Sequence, residues 1–358
     1  MTRRRAAPWW LYDAAVQPSS PALTEGTLHS LLRQYDGVGE PLSCTPVSHG
    51  LLNRGYRLTT ARGGYFLKHH LDGPGSLDRI ERQHRATDRL GELGLPVVPV
   101  VPGSGGGTVT VAEGRCFALH PWIEGTHRHG TELTAGQSRQ LGALLGRVHV
   151  RLARALPDPP SAEHESADPA ATYDTIGELL ERVRSRRNRD SFDELAEHRL
   201  TERRELLRRH ADARPGAVPD RFTGWVHGDF HPLNLLYAPP GRSPRPVAIL
   251  DWDRLGVHPR AEEAVRGAAI FFLRPGGTLD LRKVRAFARA YRGAAGASRA
   301  ELAAAVHRVW WERLNDFWML RWRYQLCDVR TDPQFPAAAA LVVWWTAHYP
   351  AVRSAFCD

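Results

Sequence analysis

Three residues in the run 225–237 have the types and spacing for chemistry on a phosphoryl group: His227, Asp229 and Asn234, in the pattern H-x-D-x-x-x-x-N. Twenty-two residues after Asp229, a β-type run ends in Asp251, within the sequence Ile249, Leu250, Asp251, Trp252, Asp253. Transfer of a γ-phosphoryl group spreads negative charge over its equatorial oxygens. A protein that performs it needs hard oxygen ligands for Mg2+, a cation at the phosphates and a carboxylate that orients the acceptor hydroxyl. Asp229 suits the last of these roles, and Asn234 and Asp251 suit the first.

Two other readings compete. His227, Asp229 and His231 at alternate positions would share one face of a strand and could ligate Zn2+ or Mn2+ in a hydrolase. Pro232 ends such a strand at once, and no other cluster with metal-ligand spacing supports it. A loop with incidental acids does not explain why Asn234 and Asp251 both fall where a kinase needs them.

The elements that must position these residues follow from periodicity and turn chemistry. A short amphipathic helix is expected over 23–35, with turn chemistry over 36–46. Runs 47–60 and 64–70 read as a hairpin closed by Ala61, Arg62 and Gly63, and 77–93 as a helix stopped by Gly94. Further extended runs cover 95–101, 108–112 and 115–123, with the glycine-rich stretch 103–107 as a hairpin turn, because no helix or Lys-Ser/Thr follows it. The order is β-β-α-β-β-β, after which the chain is mainly helical: 133–156, two charged helices within 175–214, and 261 to the end. A short β island at 225–227, 235–237 and 247–251 interrupts them. His149 ends the apolar stripe of its helix and reads as a satisfied core histidine.

With these residues in place, the chain resembles the aminoglycoside phosphotransferase and choline kinase family, small-molecule kinases with the protein-kinase fold. The resemblance covers about 47–272 and is carried by His227 to Asn234 and by Ile249 to Asp253. It implies an α+β, two-lobed protein-kinase-like fold, with an antiparallel β N-lobe holding one helix and a mainly helical C-lobe. The division implied is an N-terminal extension at 1–40, an N-lobe at 41–123 and a C-lobe at 124–358. Within the C-lobe lie a catalytic loop at 225–237, a metal strand at 247–253 and acceptor-side helices at 261–358.

The resemblance assigns roles residue by residue. Asp229 would orient and deprotonate the acceptor, Asn234 and Asp251 would hold Mg2+, and His227 would brace the loop. Gly50 and Asn53 lie in the part that resembles the nucleotide loop, and Leu119 to Trp122 in the part that resembles the purine-binding hinge. Lys68 falls where the family has its phosphate lysine. Only two of the 48 cationic residues are lysines, Lys68 and Lys283, so a merely exposed position would be expected to carry arginine. A compact ammonium also fits a narrow phosphate site better than a planar fork.

Departures are expected to matter. The helix glutamate that pairs with the lysine falls near Gln83, with Glu81 on another face. His258 and Glu262 stand where acidic residues support the catalytic loop, and Asp253 either assists the metal or faces solvent. The activity implied is ATP- and Mg2+-dependent phosphorylation of a small-molecule hydroxyl, with GTP not excluded. The alternative is a catalytically silent nucleotide-binding regulatory protein.

Composition bounds the rest. The longest apolar stretches are about half of the roughly 20 residues that a membrane helix needs. Pro8 and Asp13 break any leader after Arg3, Arg4 and Arg5, so a cytoplasmic protein is expected. Cys44, Cys116, Cys327 and Cys357 are far apart and read as reduced, mostly buried thiols. The formal charge of +9 is spread, and the densest run, 181–214, interleaves Arg199, Arg203, Arg204, Arg208 and Arg209 with acids as an exposed helix face, not a nucleic-acid surface. Residues 255–358 hold fifteen Lys/Arg and nine Asp/Glu, which disfavours a polycationic acceptor. Trp311, Leu314, Trp318 and Trp322 are expected as one stripe of a single helix buried on two sides.

Overall fold

The computed structural model describes residues 23–47, 53–161, 164–239 and 245–358. Its N-terminal lobe is one antiparallel sheet of β1 (Pro41–Val47), β2 (Arg54–Thr60), β3 (Gly63–His70), β4 (Thr110–Ala112) and β5 (Arg115–Pro121), in the order β1-β2-β3-β5-β4. Helix α1 (Glu25–Leu32), capped by the Thr24 hydroxyl, covers one face of this sheet. Strand alternation sends Leu58, Leu67, Phe117 and Leu119 to that face, where they are buried with Leu28, Leu31 and Leu32. Lys68 on β3 and His120 on β5 therefore belong to the opposite face, which helix α2 (Leu77–Glu92) and the C-terminal lobe approach.

Five strands and one packed helix were expected here, but two of the strands differ. Run 36–46 supplies β1, because an edge strand tolerates Pro41 and Pro46, whose nitrogens donate no ladder bond. Run 95–101 makes only isolated bridges, Val97 to Ile249 and Val101 to Leu119, because Pro96 and Pro99 interrupt its donors. The 103–107 stretch is a turn, as expected, with Gly106 N–H donating to the Gly103 carbonyl.

The larger lobe begins with α3 (Ala135–Ala155), α4 (Pro169–Arg184) and α5 (Ser191–His210). Two ladders follow, β6 (Thr223–Val226) with β9 (Gly256–Pro259) and β7 (Leu235–Tyr237) with β8 (Pro246–Ile249). Then come α6 (Arg260–Phe271), α7 (Leu281–Ala295), α8 (Arg299–Asn315), α9 (Trp318–Gln325), α10 (Phe335–Ala347) and α11 (Tyr349–Cys357). The main core runs through α3, α6, α7, α8 and α11, and a second one joins α4, α5, α9 and α10. Among the described residues no helix is long and apolar enough to cross a membrane.

The expected single tryptophan helix is in fact two, α8 and α9. The Asp316 carboxylate accepts the Trp318 N–H at 3.0 Å and starts a new turn. The Arg203 guanidinium donates to the carbonyls of Arg313 (2.5 Å) and Leu314 (3.2 Å) and so caps the end of α8. Arg203 is thus buried, against its expected place on an exposed face, whereas Arg199 and Arg208 pair with Glu202 and Glu205 on their own helix. Trp310, Trp311, Trp322 and Trp345 are core residues. Cys116 and Cys357 are buried and Cys44 half-buried, but Cys327 is exposed.

Helices α3 and α7 approach closely because α3 offers no side chain at the contact. A Cβ on Gly142 would lie 2.1 Å from the Phe287 carbonyl oxygen. Gly142→Ala is therefore expected to lower unfolding free energy by ~2 kcal/mol despite its better helix propensity. Gly177→Ala in α4, where nothing lies within 4 Å, is expected to raise it by ~0.5–1 kcal/mol. Urea unfolding of both variants checks the contrast.

Candidate active site

The catalytic-loop run leaves β6 at Val226 and turns sharply. Gly228 has φ +86, and a Cβ there would sit 2.1 Å from the Arg254 carbonyl, so only glycine fits. The fully buried His227 holds the turn from inside. Its Nδ1 accepts the Asp229 N–H at 3.2 Å, and its Nε2 lies 2.9 Å from the Leu250 carbonyl, which fixes the tautomer with the proton on Nε2. With both nitrogens engaged, His227 has no lone pair for a metal, and the zinc-type reading loses a ligand.

Beneath the loop lies one carboxylate. Glu263 accepts the N–H groups of His227 (3.2 Å) and Gly228 (2.5 Å), and its Oε2 lies 2.7 Å from Nε2 of His149. Burial opposes its charge, but the hydrogen bond with His149 leads the contacts that outweigh it and lower its pKa. His149 is the satisfied core histidine expected, since its Nδ1 meets the Tyr291 hydroxyl at 3.0 Å. Glu262, the residue expected in this supporting role, instead pairs with Arg308 at 2.5 Å. Adjacent helical positions face different ways, which is why the one-residue difference matters.

Asp229 is positioned by its neighbours. Nε2 of His231 lies 3.4 Å from its Oδ2, and Nδ1 of His231 accepts the Leu233 N–H. Burial pushes the Asp229 carboxyl up, but His231, Arg254 and His227 together outweigh it and lower its pKa. Asn234 donates Nδ2 to the Asp229 carbonyl at 2.8 Å, which leaves its Oδ1 as the atom able to ligate a cation.

Strand β8 pairs with β7 and delivers Asp251 beside this loop. Asp251 has φ +55, a left-handed conformation that costs a non-glycine residue about 1 kcal/mol and persists only where surrounding contacts impose it. Its side chain is held from the other lobe: Lys68 Nζ lies 2.9 Å from Asp251 Oδ1 and 2.7 Å from Asp253 Oδ2. Burial works against the Lys68 charge, but the two carboxylates outweigh it and raise its pKa. Burial likewise opposes the Asp251 charge, yet Lys68 holds its carboxyl well below the usual range. Burial and repulsion from Asp251 push Asp253 the other way.

The helix behind Lys68 supplies no carboxylate. Gln83 donates to the Asp253 backbone carbonyl at 2.6 Å, and Glu81 lies 3.7 Å from Arg85, so Asp251 and Asp253 take the role open between those two. Burial also drives His70 down to about 2, His84 to about 3 and His120 to about 4. These imidazoles are neutral near pH 7 and add no positive charge beside Lys68.

The remaining expected residues are placed as follows. Gly50 lies outside the described residues. Asn53 donates to Asp253 Oδ2 at 2.5 Å and accepts the Leu71 N–H at 3.1 Å, which brings the nucleotide-loop run to the aspartates. Leu119 does not reach the cleft with its side chain, which is in the core against α1, and its carbonyl accepts the Val101 N–H at 2.7 Å. Trp122 donates its backbone N–H to the Gly64 carbonyl at 3.0 Å and carries the Arg57 guanidinium over its ring. Lys283, the second lysine, donates to the carbonyls of Gly130 (2.7 Å) and Thr131 (3.2 Å), far from a simple surface position. Sequence reasoning missed His231 as the Asp229 orienter and Glu263 as the loop support. The first was visible as a histidine two residues beyond the aspartate, and the second as one member of an acidic pair.

Comparison with known proteins bears on the fold and the family. No curated protein matches the chain in sequence. Among solved structures, the chain is similar to a spectinomycin phosphotransferase crystallised with ADP and spectinomycin, at TM-score 0.60 and 14% identity, covering 94% of this chain and 98% of that one. It is also similar to a microcompartment-associated aminopropanol kinase, at TM-score 0.59 and 17% identity over 92% and 98% of the two chains. A choline kinase from Cryptosporidium parvum Iowa II aligns at TM-score 0.54 and 10% identity over 90% and 96%. These likenesses establish the two-lobed kinase-like fold. The sequence model of the phosphotransferase enzyme family matches residues 43–302, and the chain belongs to that family.

Proposed function

We propose that this protein is a small-molecule kinase that transfers the γ-phosphoryl group of ATP, with Mg2+, to a hydroxyl of its acceptor. The observation that carries the reading is the meeting of Lys68 with Asp251 at 2.9 Å, across 183 residues of sequence and the cleft between the lobes. Asp229 and Asn234 are bonded to each other on the loop beside it.

The donor set fits Mg2+. Asn234 Oδ1 and the Asp251 carboxylate are hard oxygens, and the Asp251 side chain is 44% exposed. When bound, Mg2+ would neutralise charge that develops on the phosphoryl oxygens. Lys68 adds a fixed cation at the phosphates, and Asn53 adds a neutral donor.

Asp229 is ionised at neutral pH, and its lowered pKa makes it a weak base. Its first task is therefore to accept a hydrogen bond from the acceptor hydroxyl and hold it in line, taking the proton late as the bond to phosphorus forms. His231 fixes the carboxylate, and His227 with Glu263 fixes the loop that carries it. The silent-protein alternative rested on Gln83. That residue is engaged with the Asp253 carbonyl, and the comparisons give the alternative no support.

Charge supports a reading of the acceptor class. The basic excess of 255–358 favours a neutral or anionic hydroxyl compound over a polycation. The spectinomycin phosphotransferase and the aminopropanol kinase support a small-molecule acceptor.

A screen of hydroxyl compounds by coupled ADP release is expected to find an acceptor. With it, Asp229→Ala lowers kcat by about a thousandfold while nucleotide affinity stays within about twofold. Full turnover by that variant would sink the assignment. Glu263→Gln, which leaves three N–H donors to a neutral amide, is expected to lower unfolding free energy by about 2 kcal/mol and to reduce kcat more than KM. Calorimetry and steady-state kinetics read the two effects.

A further inference from the structure

Three separate elements of the N-terminal lobe donate to one residue of the other lobe. Asn53, just before β2, gives its side-chain N–H to Asp253 Oδ2 at 2.5 Å, and Lys68 of β3 approaches the same oxygen at 2.7 Å. Gln83 of α2 donates to the Asp253 backbone carbonyl at 2.6 Å. The Asp253 side chain is only 20% exposed. The orientation of the Asn53 amide is fixed independently, because its Oδ1 accepts the Leu71 N–H. Its amino group must then face Asp253.

From this convergence we infer that Asp253 is an internal anion that occupies a phosphate-binding position and fastens the two lobes together until a nucleotide displaces it. The inference rests on the proposed nucleotide site. One carboxylate oxygen that takes an ammonium and an amide N–H has the donor environment of a phosphate oxygen. An entering phosphate must compete with Asp253 for both donors, and it meets the Asp253 charge as it does so. Gln83 adds a single bond to this fastening: it is 7% exposed, its Oε1 has no partner, and the bond to Asp253 is made by Nε2 alone. Lys68 is met by both Asp251 and Asp253, so an anion that replaces Asp253 leaves the Asp251 contact in place.

The test is ADP binding by calorimetry to the full chain, first with Mg2+ and then in EDTA. Wild type is expected to bind ADP with Mg2+, and weakly in EDTA. Asp253→Asn keeps the shape and removes the charge, and it is expected to bind metal-free ADP about tenfold more tightly than wild type. Gln83→Leu, which loosens the same contact without touching a charge, is expected to shift metal-free binding in the same direction and serves if Asp253→Asn folds poorly. Glu81→Gln removes an acid from the same helix outside the fastening and is expected to leave metal-free affinity unchanged, which separates displacement from a general charge effect. If wild type binds ADP with Mg2+ but neither Asp253→Asn nor Gln83→Leu tightens metal-free binding, or if Glu81→Gln tightens it equally, the internal-anion role is wrong and the nucleotide site stands. If wild type binds no ADP with Mg2+, both fall.

Discussion

One ammonium group, shared by two carboxylates from the opposite lobe, is the constraint on which this structure turns. Lys68 is 88% removed from solvent, since its side chain is 12% exposed, and a cation so placed is tolerated only when anions compensate it. The compensation comes from Asp251 and Asp253. The sheet must therefore present Lys68 on the face away from α1, and β8 must end opposite it.

The same logic repeats one layer deeper. The loop that carries Asp229 has no regular structure to satisfy its own N–H groups, so a buried carboxylate, Glu263, does so. Glu263 in turn needs a partner in the core and finds it in His149 of α3. The Asp229 carboxylate is thus tied through His227 and Glu263 to the packing of α3 on α7. The two lysines divide along these lines, one compact cation facing the cleft and one gathering two backbone carbonyls at the start of the larger lobe.

Much of the site was legible in the sequence because phosphoryl transfer dictates residue types at short range. His227, Asp229, Asn234 and Asp251 come together as their spacing implied, and Lys68 joins them from afar. What could not be read was set by tertiary choice. Which of two adjacent glutamates faces the loop depends on helix phase, and which partner Lys68 takes depends on how the lobes meet. The edge strand β1 was obscured by two prolines that only an edge position permits, and run 95–101 looked like a strand although its prolines prevent a ladder. The break between α8 and α9 was hidden because Arg203, 110 residues before Arg313, supplies the cap. The likenesses of fold came at 10–17% identity, so packing has been kept while most side chains changed.

Lys68 acts as a compact cation between two carboxylates, and not merely as a positive charge in the cleft. Titration of Mg2+·ATP into wild type and Lys68→Arg tests this most directly, in a chain that uses arginine at 46 of its 48 cationic positions. The prediction is that the variant folds but binds the nucleotide on the order of tenfold more weakly, because a planar fork cannot occupy the ammonium's place. Equal affinity in the two proteins would contradict it.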